Sequence, residues 1–258
     1  MSKVAPELIL LSVAILGLLI GSFLNSCIYR IPRGISLLNP RRSYCPVCTH
    51  AISAFHNIPI LSYFLLGRRC ASCRSKISVQ YPLVELFSGM FFTITVIYFG
   101  FSLQALSVLI IGSVLATILV IDWQHYRIPN FLVATAGVIL LIQGFVEDQF
   151  AVRLLDGFMA SALLLLIRRV GNYCLGRESM GLGDVKLGMV IGMALGISGF
   201  LASLFLASTL GLLYAGLTYL YDKKRINNEL PFGSFLCAST ILLLFPSESE
   251  LLHILGFF

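Results

Sequence analysis

Long apolar runs separated by short polar segments set the architecture of this chain. They predict helices near Leu8–Ile28, Pro82–Phe99, Leu103–Ile121, Phe131–Val146, Leu154–Val170, Val185–Ile197, Phe200–Tyr221 and Phe232–Phe245. Most are near the length that crosses about 30 Å of hydrocarbon, the last being short for it. No run alternates with the two-residue period of a half-buried strand, and an open sheet cannot satisfy its backbone in lipid. The sixth and seventh helices come from Leu187–Tyr221, which is uncharged and too long for one ordinary span. Gly196-Ile-Ser-Gly199 supplies a break there. The expected fold is therefore all-α, a polytopic membrane protein of about eight transmembrane helices, with seven or nine as the neighbouring counts. The first run lacks a small-residue cleavage site and reads as a retained span. The tail Leu251–Phe258 is expected to lie in the interface. Two domains follow from the pattern: residues 1–81, the first span with one long polar loop, and residues 82–258, a seven-helix membrane domain.

Composition agrees, with 58% hydrophobic and only 12% charged residues, which excludes an ordinary soluble domain. The net charge of +6 does not imply a nucleic-acid partner, because of where the charges fall. No acidic residue occurs between Leu8 and Val84, while Arg30, Arg33, Arg41, Arg42, Arg68, Arg69, Arg74 and Lys76 all do. Such a basic juxtamembrane stretch is drawn to anionic lipid on the cytoplasmic face. Placing it there and alternating the spans leaves only Lys3 and Arg153 of the 18 basic residues outside, a strong positive-inside bias. The bilayer is thus one partner of the chain.

The same map sorts the acids. Asp122 ends the third predicted span and Asp184 begins the sixth, so both fall at the cytoplasmic boundary. Glu147, Asp148 and Asp156 fall at the opposite boundary, as headgroup-level acids. Glu85 lies about one turn into the second span, where capping or pairing with a loop cation is as good a reading as a functional one. Acids in an apolar chain are costly and mark functional sites by default.

Two knuckles, Cys45-Pro-Val-Cys48 and Cys70-Ala-Ser-Cys73, stand in the polar loop. Four thiolates at this spacing make a tetrahedral zinc site. A cytoplasmic address keeps them reduced and disfavours a disulfide pair. A loop with few large apolar side chains also gains order from a metal. His50 and His56 are alternative ligands, although four cysteines suffice. A closed four-thiolate shell leaves no position for water, so this zinc is structural and the chemistry falls to the carboxylates. Cys27, Cys174 and Cys237 read as packing residues.

Two neighbouring carboxylates resist double ionisation, so one holds a proton while the other acts as base on water. This is the logic of an aspartic protease. Gly181 and Gly183 flank a small turn that lets an extended substrate backbone approach Asp184. Each aspartate alone has a structural reading: Asp122 as a helix-end acid and Asp184 as a helix cap. Two other functions stand beside proteolysis. A transporter would use the aspartates as ion or proton sites, but it calls for acids near the midplane and paired broken helices. A zinc-loop scaffold for secretion machinery would need no catalytic residue.

Several motifs in order bear a family resemblance. These are Gly21-Ser-Phe-Leu-Asn-Ser-Cys-Ile-Tyr-Arg30, the two cysteine knuckles enclosing Asn57-Ile-Pro-Ile-Leu-Ser-Tyr63, and Tyr81-Pro-Leu-Val-Glu85. The Asp122 segment, Gly181-Leu-Gly-Asp184-Val-Lys186 and Pro231-Phe-Gly233 follow. The chain resembles the type IV prepilin peptidases nearly end to end. The resemblance implies that Asp122 and Asp184 form a Gly-x-Gly-Asp-type protease pair in the bacterial inner membrane, facing the cytoplasm. It implies cleavage of prepilins or pseudopilins after Gly, removing a basic leader, in the service of pilus or type II secretion machinery. It also implies methylation of the new N-terminal amine, commonly of Phe, with S-adenosylmethionine as donor, and Glu85 is the residue connected here with that cofactor. Two positions depart from the family pattern. Trp123 stands where a small or acidic residue is common, and Ser234 follows Pro-Phe-Gly where Pro is common.

Overall fold

The computed structural model describes residues 6–39, 42–221 and 230–245. Eight α-helices are formed among the described residues: α1 Pro6–Arg30, α2 Leu61–Leu65, α3 Gln80–Phe99, α4 Leu103–His125, α5 Asn130–Val146, α6 Phe150–Leu175, α7 Leu182–Tyr221 and α8 Phe232–Leu243. Among the described residues there is no strand, only isolated bridges between Tyr44 and Ala51 and between Arg69 and Lys76. Of the described helices, five (α1, α3, α4, α6 and α7) are long and apolar enough to cross a membrane, and α5 and α8 are shorter apolar helices. The chain is a multi-pass membrane protein. The predicted tail Leu251–Phe258 and the basic residues Lys3, Arg41, Lys223, Lys224 and Arg225 lie outside the described residues.

The chain divides into two compact units, Met1–Leu109 and Ile110–Phe258. In the first, α1 and α3 run antiparallel along a seam of small residues. A Cβ added to Gly17 would lie 2.8 Å from the Cα of Gly89, and one added to Gly21 would lie 2.7 Å from the Cα of Glu85. Contact this close needs glycine, and Gly17-Leu-Leu-Ile-Gly21 is the small-xxx-small pattern that lets membrane helices meet backbone to backbone. The pairings step four residues down one helix and four up the other, which brings Asn25 opposite Tyr81. The Asn25 Nδ2 donates to the Tyr81 carbonyl at 3.0 Å. Leu8, Leu11, Ile15, Leu19 and Phe23 stay exposed on the other side of α1, as a lipid-facing surface should.

The polar loop is built rather than loose. Arg30, 5% exposed, donates to the carbonyls of Ser36, Leu37 and Arg42, which fixes the chain as it leaves α1. The two cysteine knuckles repeat one geometry. The Cys45 N–H donates to the His50 carbonyl and the Cys70 N–H to that of Ser75, at 3.0 and 2.8 Å. Thr49 and Arg74, each directly after the second cysteine, take φ of 58° and 59°.

The second unit packs by the same rules. A Cβ on Gly192 would meet the Asp156 carbonyl at 2.6 Å, and one on Gly157 would meet that of Met189 at 2.9 Å, so glycines join α6 to α7. Between α7 and α8 the glue is polar: the buried Ser203 hydroxyl meets Ser239 at 3.1 Å and Thr240 at 2.8 Å. Interhelical hydroxyl bonds of this sort replace the hydrophobic drive that lipid removes. The break expected at Gly196–Gly199 is found at Gly196, whose φ of 70° and ψ of 175° suit a residue without a Cβ.

Helix ends differ from the apolar runs that predicted them. Helix α6 extends from Phe150 to Leu175 rather than Leu154–Val170, and Gly176 closes it at φ 65°. Arg153 pairs with Glu147 at 2.8 Å and Arg168 with Glu178 at 3.2 Å, and Arg168 also donates to the Met180 carbonyl. Helix α4 runs on through His125, a turn beyond the predicted end at Ile121, with Tyr126 closing it at φ 53°.

Candidate active site

Asp122 and Asp184 meet within the second unit. Asp122 lies near the C-terminal end of α4 and Asp184 in the first turn of α7. They are 5% and 9% exposed. A Cβ placed on Gly233 would lie 3.0 Å from Oδ2 of Asp122 and 3.0 Å from Oδ1 of Asp184. The two oxygens are therefore no more than twice that distance apart, and the gap between them exists because residue 233 has no side chain. The Pro231-Phe-Gly233 motif thus supplies the floor of the dyad from the start of α8.

Ser234 follows as a finding the sequence reading did not anticipate. Its N–H donates to Oδ2 of Asp122 at 2.7 Å, and its hydroxyl lies 3.0 Å from the same oxygen and 3.0 Å from the Leu119 carbonyl. A proline at this position would offer neither donor. Ile128 is the second unanticipated neighbour. Its side chain lies 2.7 Å from a Cβ on Gly233 and 3.1 Å from one on Gly183, an apolar wall beside two acids. A Cβ on Gly181 would stand 3.3 Å from Oδ2 of Asp184. Lys186 is not an ion-pair partner of Asp184 and donates instead to Oδ1 of Asn130 at 2.9 Å. Trp123 packs edge-on against Tyr214 and Phe235, with centroids 5.2 and 5.9 Å apart, so its bulk joins α4 to α7 and α8.

Glu85 belongs to the first unit and has no cationic partner among the described ion pairs. It is 6% exposed, and its Oε2 accepts the N–H of Ile60 at 2.7 Å. Ile60 carries φ of 61°, an outlying conformation for a β-branched residue that this bond helps to hold. Glu85 also lines a cavity of about 450 Å³ contained in this unit, together with Asn25, Tyr29, Arg30, Tyr63 and Tyr81. That volume falls within the range of small-molecule sites, about 300–1,000 Å³.

The sulfurs of Cys45, Cys48, Cys70 and Cys73 lie within 4.8 Å of one another. A tetrahedral ion with Zn–S of about 2.3 Å holds its sulfurs roughly 3.8 Å apart, and Cys45 and Cys73 stand at 3.9 Å. The four thiols therefore fit zinc with shifts of at most about 1 Å. The Cys45 thiol sits at about 6: burial pushes it up, and the N–H groups of Cys48 and Val47 with the Ser75 hydroxyl and the Cys48 thiol pull it down further. A thiolate donor of this kind is what the metal requires. Cys27 and Cys237 are buried, as packing residues are, whereas Cys174 is exposed near the end of α6.

An apolar helical chain that brings two aspartates to one point has the make-up of a membrane peptidase. The profile of the type IV leader peptidase family matches residues 109–216, and that of the bacterial peptidase A24 N-terminal domain matches residues 15–99. The chain belongs to the type IV leader peptidase family. A prepilin leader peptidase/N-methyltransferase of Neisseria gonorrhoeae is 36% identical over 230 residues, covering 78% of this chain and 79% of that protein. A type 4 prepilin-like proteins leader peptide-processing enzyme of Escherichia coli is 36% identical over 243 residues, covering 84% and 86%. A prepilin leader peptidase/N-methyltransferase of Pseudomonas aeruginosa is 30% identical over 272 residues, covering 94% and 92%. No solved structure matches the chain at a significant level. Family membership leaves the transporter and scaffold alternatives without support.

Proposed function

We infer that this chain cleaves the basic leader from type IV prepilins or pseudopilins and methylates the amine it exposes. The observation that carries the peptidase reading is the meeting of Asp122 and Asp184 across the gap at Gly233. Two such carboxylates share one proton, because two adjacent charges in a low dielectric cost more than one. The charged member takes a proton from water as the water oxygen bonds to the scissile carbonyl carbon. The protonated member gives its proton to the carbonyl oxygen. Collapse of the tetrahedral centre breaks the C–N bond, and a proton passes to the departing nitrogen. The products are a leader ending in a carboxylate and a mature chain with a free α-amine. Accepting from Ser234, Oδ2 of Asp122 does not carry the shared proton, which rests on another oxygen of the pair. Gly181 and Gly183 leave the substrate backbone room beside Asp184.

The names of the Neisseria and Pseudomonas relatives join peptidase to N-methyltransferase, and the cavity at Glu85 supports extending that second activity to this chain. S-adenosylmethionine, when bound, supplies a methyl group to the new amine. A buried carboxylate without a counter-ion suits a cationic donor, and we assign Glu85 to holding it. The four cysteines hold structural zinc in the loop that forms part of the cavity wall. The distribution of Lys and Arg supports an inner-membrane location with the dyad toward the cytoplasm, where prepilins and the pilus or type II secretion machinery are the partners.

Incubation of purified protein with a prepilin, with and without S-adenosylmethionine, followed by intact mass, tests both halves. Loss of the leader mass with either carboxylate replaced by Asn, at the wild-type rate, would sink the peptidase reading. Absence of a further methyl increment on the wild-type product would sink the transferase reading.

A further inference from the structure

One face of α1 is polar inside an otherwise apolar span. Ser22, Asn25, Ser26 and Tyr29 recur at the i, i+3, i+4, i+7 spacing of a single helical face, and all four line the cavity of the first unit. Opposite them Tyr81 and Glu85 stand one turn apart on α3 and line the same cavity. The antiparallel register that sets Gly21 against Glu85 and Asn25 against Tyr81 puts Asn25 and Glu85 about one turn, or roughly 5–6 Å, apart along the seam.

Asn25 is 2% exposed. Its Nδ2 serves the Tyr81 carbonyl, and only the nitrogen of an amide can do so, which fixes the position of the oxygen. That oxygen, Oδ1, is buried and has no donor among the described residues. An acceptor left in this state is destabilising unless something outside the chain satisfies it. Glu85 adds a carboxylate that no described cation pairs. Arg30, which shares the cavity, donates to the carbonyls of Ser36, Leu37 and Arg42. An orphan acceptor, an unpaired carboxylate and the rings of Tyr29 and Tyr81 together make a surface for a ligand that is positively charged and carries N–H donors.

We propose that Asn25 Oδ1 and the Glu85 carboxylate form a cation subsite that receives an ammonium group, with Asn25 accepting one of its hydrogens. The assignment rests on the methyl-transfer reading and sharpens it, because that reaction offers two such cations: the aminoacyl end of the methyl donor and the free amine of the mature chain. Calorimetric titration of the full chain in detergent distinguishes them. One arm uses S-adenosylmethionine; the other uses a short Phe-headed peptide and its N-acetylated form. Asn25→Leu is expected to weaken whichever ligand uses the subsite by about tenfold or more, the loss of one charge-assisted hydrogen bond. Asn25→Asp keeps an acceptor oxygen but loses the Nδ2–H that holds the Tyr81 carbonyl, and it is expected to bind more tightly than Asn25→Leu. Zinc content and melting temperature report whether each variant is folded.

Equal binding by wild type and Asn25→Leu overturns the proposal, since the ligand would then not use Oδ1. Equal losses in Asn25→Leu and Asn25→Asp, with zinc retained, also overturn it, since the bond to Tyr81 would then be the only role of Asn25. A wild-type chain that binds neither ligand fails the methyl-transfer reading together with the subsite.

Discussion

The two units bury acids in opposite ways. In the first, Glu85 lies in a roomy cavity, held by the Ile60 N–H and paired with no described cation. In the second, Asp122 and Asp184 face each other across a gap the size of one missing methyl group. A lone carboxylate beside open space calls for a charge from outside, whereas a close pair resolves its cost internally by sharing a proton. The contrast teaches that a buried acid is only half a site. What the surroundings lack, a cation in one case and a second charge in the other, determines the chemistry.

The largest effect is expected at the dyad. Asp184→Asn or Asp122→Asn should lower cleavage on the order of 10⁴-fold, as loss of one member of a catalytic unit does. Methyl transfer to an already mature pilin should survive in both variants. Comparable loss of both activities would break the division of chemistry between the units. Next, Cys70→Ser removes one thiolate, about a quarter of a zinc affinity worth roughly 10–16 kcal/mol, and should weaken metal binding about 10²–10³-fold. Metal titration would show it, with methylation falling more steeply than cleavage. A variant that lost cleavage as fully as Asp184→Asn would tie the loop to the dyad and undo the contrast.

Smaller changes sharpen the dyad itself. Gly233→Ala puts a methyl group 3.0 Å from both carboxylate oxygens and 2.7 Å from Ile128. Displacing any of these should cost about 10²-fold in kcat. Unchanged kcat would mean that substrate does not use the gap. Ser234→Ala removes the hydroxyl but keeps the N–H bond to Asp122, and a loss of about tenfold is expected. Ser234→Pro, which removes both donors, should lose more, measured as kcat at fixed pH. A proline variant as active as wild type would show that Asp122 needs no fixed donor.

Much of this was legible in the sequence, and the remainder has a physical reason. Asp122, Asp184 and the four cysteines stood out because charge and thiol pairs are conspicuous in an apolar chain. The break at Gly196 follows from the length of the uncharged stretch together with its Gly196-Ile-Ser-Gly199 segment. Ser234 is visible as a departure from the family pattern, but its contact with Asp122 spans 112 positions and depends on a backbone N–H that no side-chain pattern reports. Ile128 looked like one more apolar residue, and only the packing of glycines 183 and 233 against it reveals its place. The apolar run stops at Ile121, whereas the backbone of α4 carries on through polar residues to His125. The polar stripe of α1 was readable by its spacing, yet its meaning depended on the glycine register with α3.

One dimension of α8 bears on how a water-consuming reaction proceeds in fat. At 12 residues the helix is about 18 Å long, well short of a hydrocarbon layer of roughly 30 Å. A bilayer meets such a short element by thinning around it, and this one carries Gly233 and Ser234 at its first turn. Local thickness then becomes a property of the enzyme. Thinning of this kind would bring the headgroup boundary toward the dyad, and lipids of longer chain length should then slow turnover by stretching the layer back over the site.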